Sequence, residues 1–94
     1  MRRLLFSLLV TTAFVLPATA ATVDGLKIHS ASTGHGKQTV IFVHGWTCDS
    51  SSWQAQVPEF AKTYRVVTID LPGHGQSDSP ADGVFSIGLF ARAV

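Results

Sequence analysis

Residues 39–46 read T-V-I-F-V-H-G-W, and the fold class turns on them. Val40, Ile41, Phe42 and Val43 are four consecutive apolar side chains, the pattern of a strand covered on both faces in a parallel sheet. His44-Gly45 ends the run abruptly. A glycine directly after such a strand lets the backbone turn sharply and come close to a ligand. The carboxyl end of a parallel strand is also where α/β folds gather their chemistry. The turn at residues 44–46 is therefore a candidate site on backbone grounds alone.

Upstream, Met1-Arg2-Arg3 is a short basic start, and residues 4–16 form an apolar stretch too short for a membrane-spanning helix. Pro17 follows, then Ala18-Thr19-Ala20, an A-x-A cleavage pattern. The expectation is a secretory signal peptide over residues 1–20, cut after Ala20, and an exported protein that is periplasmic or secreted. An uncleaved membrane anchor is the competing reading.

Cleavage would leave residues 21–94, at the small end for a self-sufficient core. The single cysteine, Cys48, permits no intrachain disulfide. It reads either as a buried, inert thiol or as half of a disulfide whose partner lies beyond Val94. The formal net charge of +1 includes Arg2 and Arg3, so residues 21–94 are near neutral. Without a concentrated basic patch, no nucleic-acid partner is expected. His29, His35, His44 and His74 do not pair at ligand spacing, so no metal site is expected either.

Asp24-Gly25 marks a turn before a short alternating strand, Leu26 to Ser30. Gly34-His35-Gly36-Lys37-Gln38 lacks both the first glycine and the Ser/Thr of a phosphate-binding loop, and it runs into a strand; a hairpin turn is expected. Asp49, Ser50 and Ser51 are candidate helix caps. After them Trp53, Val57, Phe60 and Ala61 share a helical face that Pro58 should kink or end. Tyr-Arg-Val-Val-Thr-Ile-Asp, residues 64–70, is a second buried strand. A Gly/Pro/Ser-rich loop leads from it to Ser86, expected to cap a last helix with Ile87, Phe90, Ala91 and Val94 on its apolar face. Strand, helix, strand and helix in this order form a parallel α/β unit.

Gly75-Gln76-Ser77-Asp78-Ser79 opens like the G-x-S-x-G elbow of a nucleophilic serine but ends in serine and lies in a loop. Ser77 is rejected as a nucleophile. Asp70, at the end of a buried strand, should meet backbone amides of the following loop, because an unpaired buried charge is costly. His44 should pack or hydrogen-bond beneath its turn, and His74 should brace its glycine loop.

Together, the strand ending in His44-Gly45-Trp46, the helix carrying Trp53, and Asp70-Leu71-Pro72-Gly73-His74-Gly75-Gln76-Ser77-Asp78 resemble the amino-terminal third of an α/β-hydrolase. The resemblance implies a mostly parallel sheet, present here as its incomplete amino-terminal part. It implies that the backbone N–H of Trp46 is one of two oxyanion-hole donors, with His44 and Gly45 supporting the turn and the indole lining the pocket mouth. The family's nucleophile, acid and histidine come later in chain order, so no catalytic side chain is expected in this chain, and the chain alone should be inactive. The implied whole is an exported serine esterase or related acyl hydrolase acting on a small ester-like molecule. An Asp nucleophile would make it a dehalogenase or epoxide-hydrolase type. A truncated, non-catalytic binding module is the remaining alternative. No cofactor, no metal, no partner protein and no membrane association after signal cleavage are implied. The strand at residues 39–43 should also keep an open edge, which favours aggregation.

Overall fold

The computed structural model of the chain describes residues 18–94. Most of the expected signal segment, residues 1–17, lies outside the described residues. Four strands form one sheet: β1 (Ala18–Val23), β2 (Leu26–Thr33), β3 (Thr39–Val43) and β4 (Arg65–Ile69), in the order β1-β2-β4-β3. Two helices complete the unit, α1 (Val57–Phe60) and α2 (Ile87–Ala93), with a short 3-10 turn at Ser50–Trp53 before α1.

β1 and β2 form a hairpin in which Val23 pairs with Leu26. Asp24 and Gly25 between them both have positive φ, 50° and 77°, as a two-residue primed turn requires. β1 begins at Ala18, so the expected cleavage point after Ala20 falls within this strand.

The decisive pair is β3 and β4, which run parallel from Thr39↔Arg65 to Val43↔Ile69. Side chains of paired residues share a face and alternate along each strand. Phe42 and Thr68 therefore point to one side. There Phe42 stacks on Trp53 at 4.8 Å between ring centroids and meets the edge of Phe60 at 5.3 Å. Each such aromatic pair contributes about 0.5–1.5 kcal/mol beyond simple burial. Ile69 points to the other side, where it packs with Ile28 and with Ala93 of α2. The two helices thus cover opposite faces of the sheet, as the α/β reading requires.

Three expectations about strand cover, connection and helix face are corrected. First, β3 is not covered on both faces: Ile41 and Val43 remain 47% and 38% exposed, because α2 packs over β2 and β4 and does not reach β3. Second, residues 34–38 are not a hairpin turn, since β4 lies between β2 and β3. They form a crossing connection, and its glycines let the backbone pass the end of α1. A Cβ on Gly36 would stand 2.6 Å from the Thr63 carbonyl oxygen. Third, α2 buries Leu89 and Ala93, while Ile87 is 82% and Val94 54% exposed. The helix is apolar on nearly every side, so periodicity alone did not distinguish the stripe facing the sheet.

The two expected caps hold, but the single helix expected to carry Trp53, Val57, Phe60 and Ala61 is broken in two: Trp53 ends the 3-10 turn, and α1 spans only Val57–Phe60. Asp49 caps the 3-10 turn by accepting from Ser51 N–H at 2.8 Å. Pro58, expected to kink or end the helix, instead opens one: it sits in the first turn of α1, where its missing N–H costs nothing. Ser86 caps α2 by accepting from Leu89 N–H at 3.0 Å.

Candidate active site

The carboxyl ends of β3 and β4 lie side by side, and the loops leaving them build one site. From β3 the chain enters a four-residue turn, Gly45 to Cys48, closed by Cys48 N–H donating to the Gly45 carbonyl at 3.1 Å. Thr47 holds the third position with φ of 67°. A positive φ there is the mark of a type II turn, a place normally filled by Gly or Asn. In a β-branched residue it is a strained conformation costing on the order of 1–3 kcal/mol. The N–H of Trp46 has no hydrogen-bond partner among the described residues.

Behind this turn lies a polar network. His44 is 4% exposed; its Nε2 accepts from Leu71 N–H at 3.0 Å, and its Nδ1 donates to the Gly45 carbonyl at 2.8 Å. His74 Nε2 accepts from Thr47 N–H at 3.1 Å, and Nδ1 donates to the Pro72 carbonyl at 2.9 Å. An amide only donates and a carbonyl only accepts, so these partners assign both rings as neutral Nδ1–H tautomers. Each histidine grips its own loop through Nδ1 and the other loop through Nε2.

Asp70 is 2% exposed and accepts from Ser50 N–H at 2.8 Å and Gln76 N–H at 3.1 Å. The expected amides are there, but only Gln76 belongs to the following loop. The other comes from the 3-10 turn after β3, so Asp70 also ties the two loops together. Ser77 is fully engaged: its hydroxyl donates to the Asp70 carbonyl oxygen and accepts from His29 N–H at 2.9 Å. It bolts the loop to β2.

Trp46 is 63% exposed, and its indole stands edge-on to His74, Phe85 and Phe90 at 5.2–5.9 Å. With Cys48, Asp49, Gly73 and Phe85 it lines a hollow of about 380 Å³ at the turn. A larger hollow of about 1320 Å³ lies away from this turn, between β2, the 3-10 turn and α1. It is lined by Ser32, Gly34, Val57 and Thr68 and holds neither Trp46 nor His74. The Asp49 carboxyl is held below the usual carboxylate range by hydrogen bonds from the Ser51 hydroxyl and amide. Cys48 is exposed, which removes the reading of a buried thiol. Among the described residues no three His, Cys, Asp or Glu side chains converge on a point where a metal could sit.

The arrangement offers an unpartnered amide at the end of a parallel strand, held in a strained turn and braced from below. Residues 38–94 match the family model for the alpha/beta hydrolase fold. The chain belongs to the α/β-hydrolase family. Epoxide hydrolase 4 of Mus musculus is 43% identical over 59 residues, a match taking in 62% of this chain and 16% of that protein. A pimeloyl-[acyl-carrier protein] methyl ester esterase of Methylococcus capsulatus is 41% identical over 63 residues, covering 67% of this chain and 24% of the esterase. Among solved structures, the Cif epoxide hydrolase from Acinetobacter nosocomialis superposes with a TM-score of 0.76 at 25% identity, over 86% of this chain and 26% of that one. The chain thus spans about a quarter or less of the length of the relatives it matches. The incomplete sheet of four strands accords with that share of the fold.

Sequence reasoning named Trp46, His44 and Gly45; the structure places Gly45 and Trp46 in this turn and His44 immediately before it, beneath the turn. It missed Thr47, whose positive φ has no signature in a threonine. It also missed the reach of His74 across 27 residues to the Thr47 amide.

Proposed function

We propose that this chain is the amino-terminal part of an exported acyl hydrolase, and that it supplies an oxyanion donor, the backbone N–H of Trp46. The observation that carries this reading is that amide without a partner, displayed by a strained turn at the end of β3. In an ester hydrolase, a serine alkoxide adds to the substrate carbonyl and the oxygen gains negative charge. A fixed N–H that meets the charge only as it develops lowers the barrier by about 3–4 kcal/mol. Collapse expels the alcohol, and water then cleaves the acyl-serine. The nucleophile, its histidine and the acid come from sequence other than these 94 residues.

A second reading, an aspartate nucleophile of the epoxide-hydrolase type, is favoured by the likeness to the murine and Acinetobacter epoxide hydrolases. The carboxylate would open the strained ring and form an ester to the enzyme, which water then hydrolyses. That hydrolysis also passes through a tetrahedral oxyanion, so the Trp46 amide has the same task in both.

The whole encoded chain, assayed on p-nitrophenyl acetate and on styrene oxide, separates the two readings. The first predicts saturable ester hydrolysis with a burst of p-nitrophenol, and the 94 residues alone are silent. Hydrolysis of neither substrate class would defeat the proposal. Trp46→Pro then isolates the amide, because proline suits the second position of a type II turn while lacking an N–H. The expected result is a fall in kcat of about 10²- to 10³-fold at little-changed KM, with Trp46→Phe near wild type. A mature product beginning at Ala21 in the periplasm or medium would support export; an intact Met1 would count against it.

A further inference from the structure

Thr47 occupies the strained position of the turn, yet the bond that anchors it comes from outside the turn. Its N–H donates to His74 Nε2, and His74 is itself fixed by Nδ1–H on the Pro72 carbonyl. We infer that His74 is a positioning residue for the Trp46 oxyanion donor, and that it acts only as the neutral Nδ1–H tautomer. This rests on the reading of Trp46 given above.

The turn has two alternative arrangements. In the observed one, the peptide between Trp46 and Thr47 points its N–H at His74, which forces Thr47 to positive φ. In the other, that peptide is flipped, Thr47 relaxes to negative φ, and the Trp46 carbonyl faces His74 instead. Threonine prefers the second arrangement. A neutral Nε2, which can only accept, selects the first. A protonated Nε2 can only donate, so it repels the Thr47 N–H and bonds the flipped carbonyl. Protonating one imidazole therefore reverses the preference of the turn. Because Trp46 Cα joins the flipping peptide to the one bearing the oxyanion donor, a turn that rocks carries the donor with it. Misplacement of a reacting group by about 1 Å costs on the order of 10²-fold in rate.

The groups around the His74 ring leave its two nitrogens to the Thr47 amide and the Pro72 carbonyl. His44, from the end of β3, stands 5.0 Å away and is locked in the same tautomer by Leu71 and Gly45. Cys48 and Asp49 share the hollow with His74. Asp49 faces Ser51, and Asp70, from the end of β4, spends its oxygens on Ser50 and Gln76. α2 presents Phe90 to the ring, and its charged residue, Arg92, is engaged by Asp24. No carboxylate among the described residues is bonded to the His74 ring to hold a proton there.

The test uses the whole encoded chain with ¹⁵N-labelled histidine. At neutral pH the proton of His74 should lie on Nδ1, and on acidification the Thr47 amide shift should follow the titration of that ring. Finding the proton on Nε2, or a Thr47 amide indifferent to the ring, would overturn the inference. In kinetics, His74→Phe, which lacks the acceptor, should lower kcat on the order of tenfold with KM within about twofold. His74→Gln keeps a carbonyl acceptor near the Nε2 position and should recover most of the turnover. Thr47→Gly in the His74→Phe background should also recover it, since glycine holds positive φ unaided. A bracing role unrelated to the turn would not respond to Thr47→Gly, and that result would sink the idea. If Trp46→Pro lowers kcat while His74→Phe does not, this inference fails alone. If neither matters, the oxyanion reading has failed.

Discussion

Asp70 is the residue on which the site's two loops converge. Its carboxylate is buried, with one oxygen on an amide from the loop after β3 and the other on an amide from its own loop. Gly75 makes that possible. Its φ is 52°, and a Cβ there would lie 2.5 Å from the Asp70 carboxyl carbon. Gly75→Ala should therefore strain the backbone by about 1–2 kcal/mol and force the carboxylate off at least one amide, a further ~1–3 kcal/mol. Chemical denaturation should show the loss, and an unchanged midpoint would mean the loop adapts freely. The sequence made part of this legible. A carboxylate ending a β-branched run had to find donors, and glycines close behind it supplied a loop able to wrap round it. That one donor would be Ser50, 20 residues earlier, was not legible, because only parallel pairing brings the two loops together.

Among elements, the 3-10 turn after β3 carries a titrating cap of its own, Asp49, beside the amide that Asp70 holds. Ser51 holds the Asp49 carboxyl below its usual range, so the folded state binds its proton less tightly than the unfolded state. The resulting stability is fully present above the unfolded carboxylate range and is lost as pH falls through the lowered folded value. Asp49→Asn keeps a capping oxygen without the charge. It should remove this contribution to acid sensitivity and leave neutral-pH stability nearly unchanged, as thermal melts from pH 3 to 7 can show; parallel pH curves for the two proteins would refute it. The caps at Asp49 and Ser86 and the Asp24-Gly25 turn were legible because each is decided by three or four neighbouring residues. The buried face of α2 was not, because it is decided by Ile28 and Ile69 on other strands. The placement of β4 between β2 and β3 is likewise a matter of long-range pairing that no local pattern records.

At the scale of the whole molecule, the sheet has two edges of unlike character among the described residues. β1, paired only with β2, forms one edge from small residues and threonines, whereas β3, paired only with β4, forms an apolar one. The outer edge of β3 therefore presents unpaired amides and carbonyls beside Ile41 and Val43, which are themselves half uncovered. Ile87, on α2, adds a third large exposed apolar group. A flat apolar edge of this kind is a template for another strand. The 94 residues prepared alone should therefore self-associate, with the sedimentation coefficient rising with concentration in the micromolar range. Ile41→Lys adds a charge on the bare face of β3 while leaving Phe42 stacked on Trp53 and Phe60, so it should shift the population toward monomer. Asp24→Asn, which breaks the ion pair with Arg92 at the far end of the sheet, should leave association as it was. Monomeric behaviour of the unmodified chain at all concentrations would show that β3 is protected in solution by something other than the elements described. Association that Ile41→Lys fails to reduce would instead place the contact elsewhere, with Ile87 on α2 the next position to change.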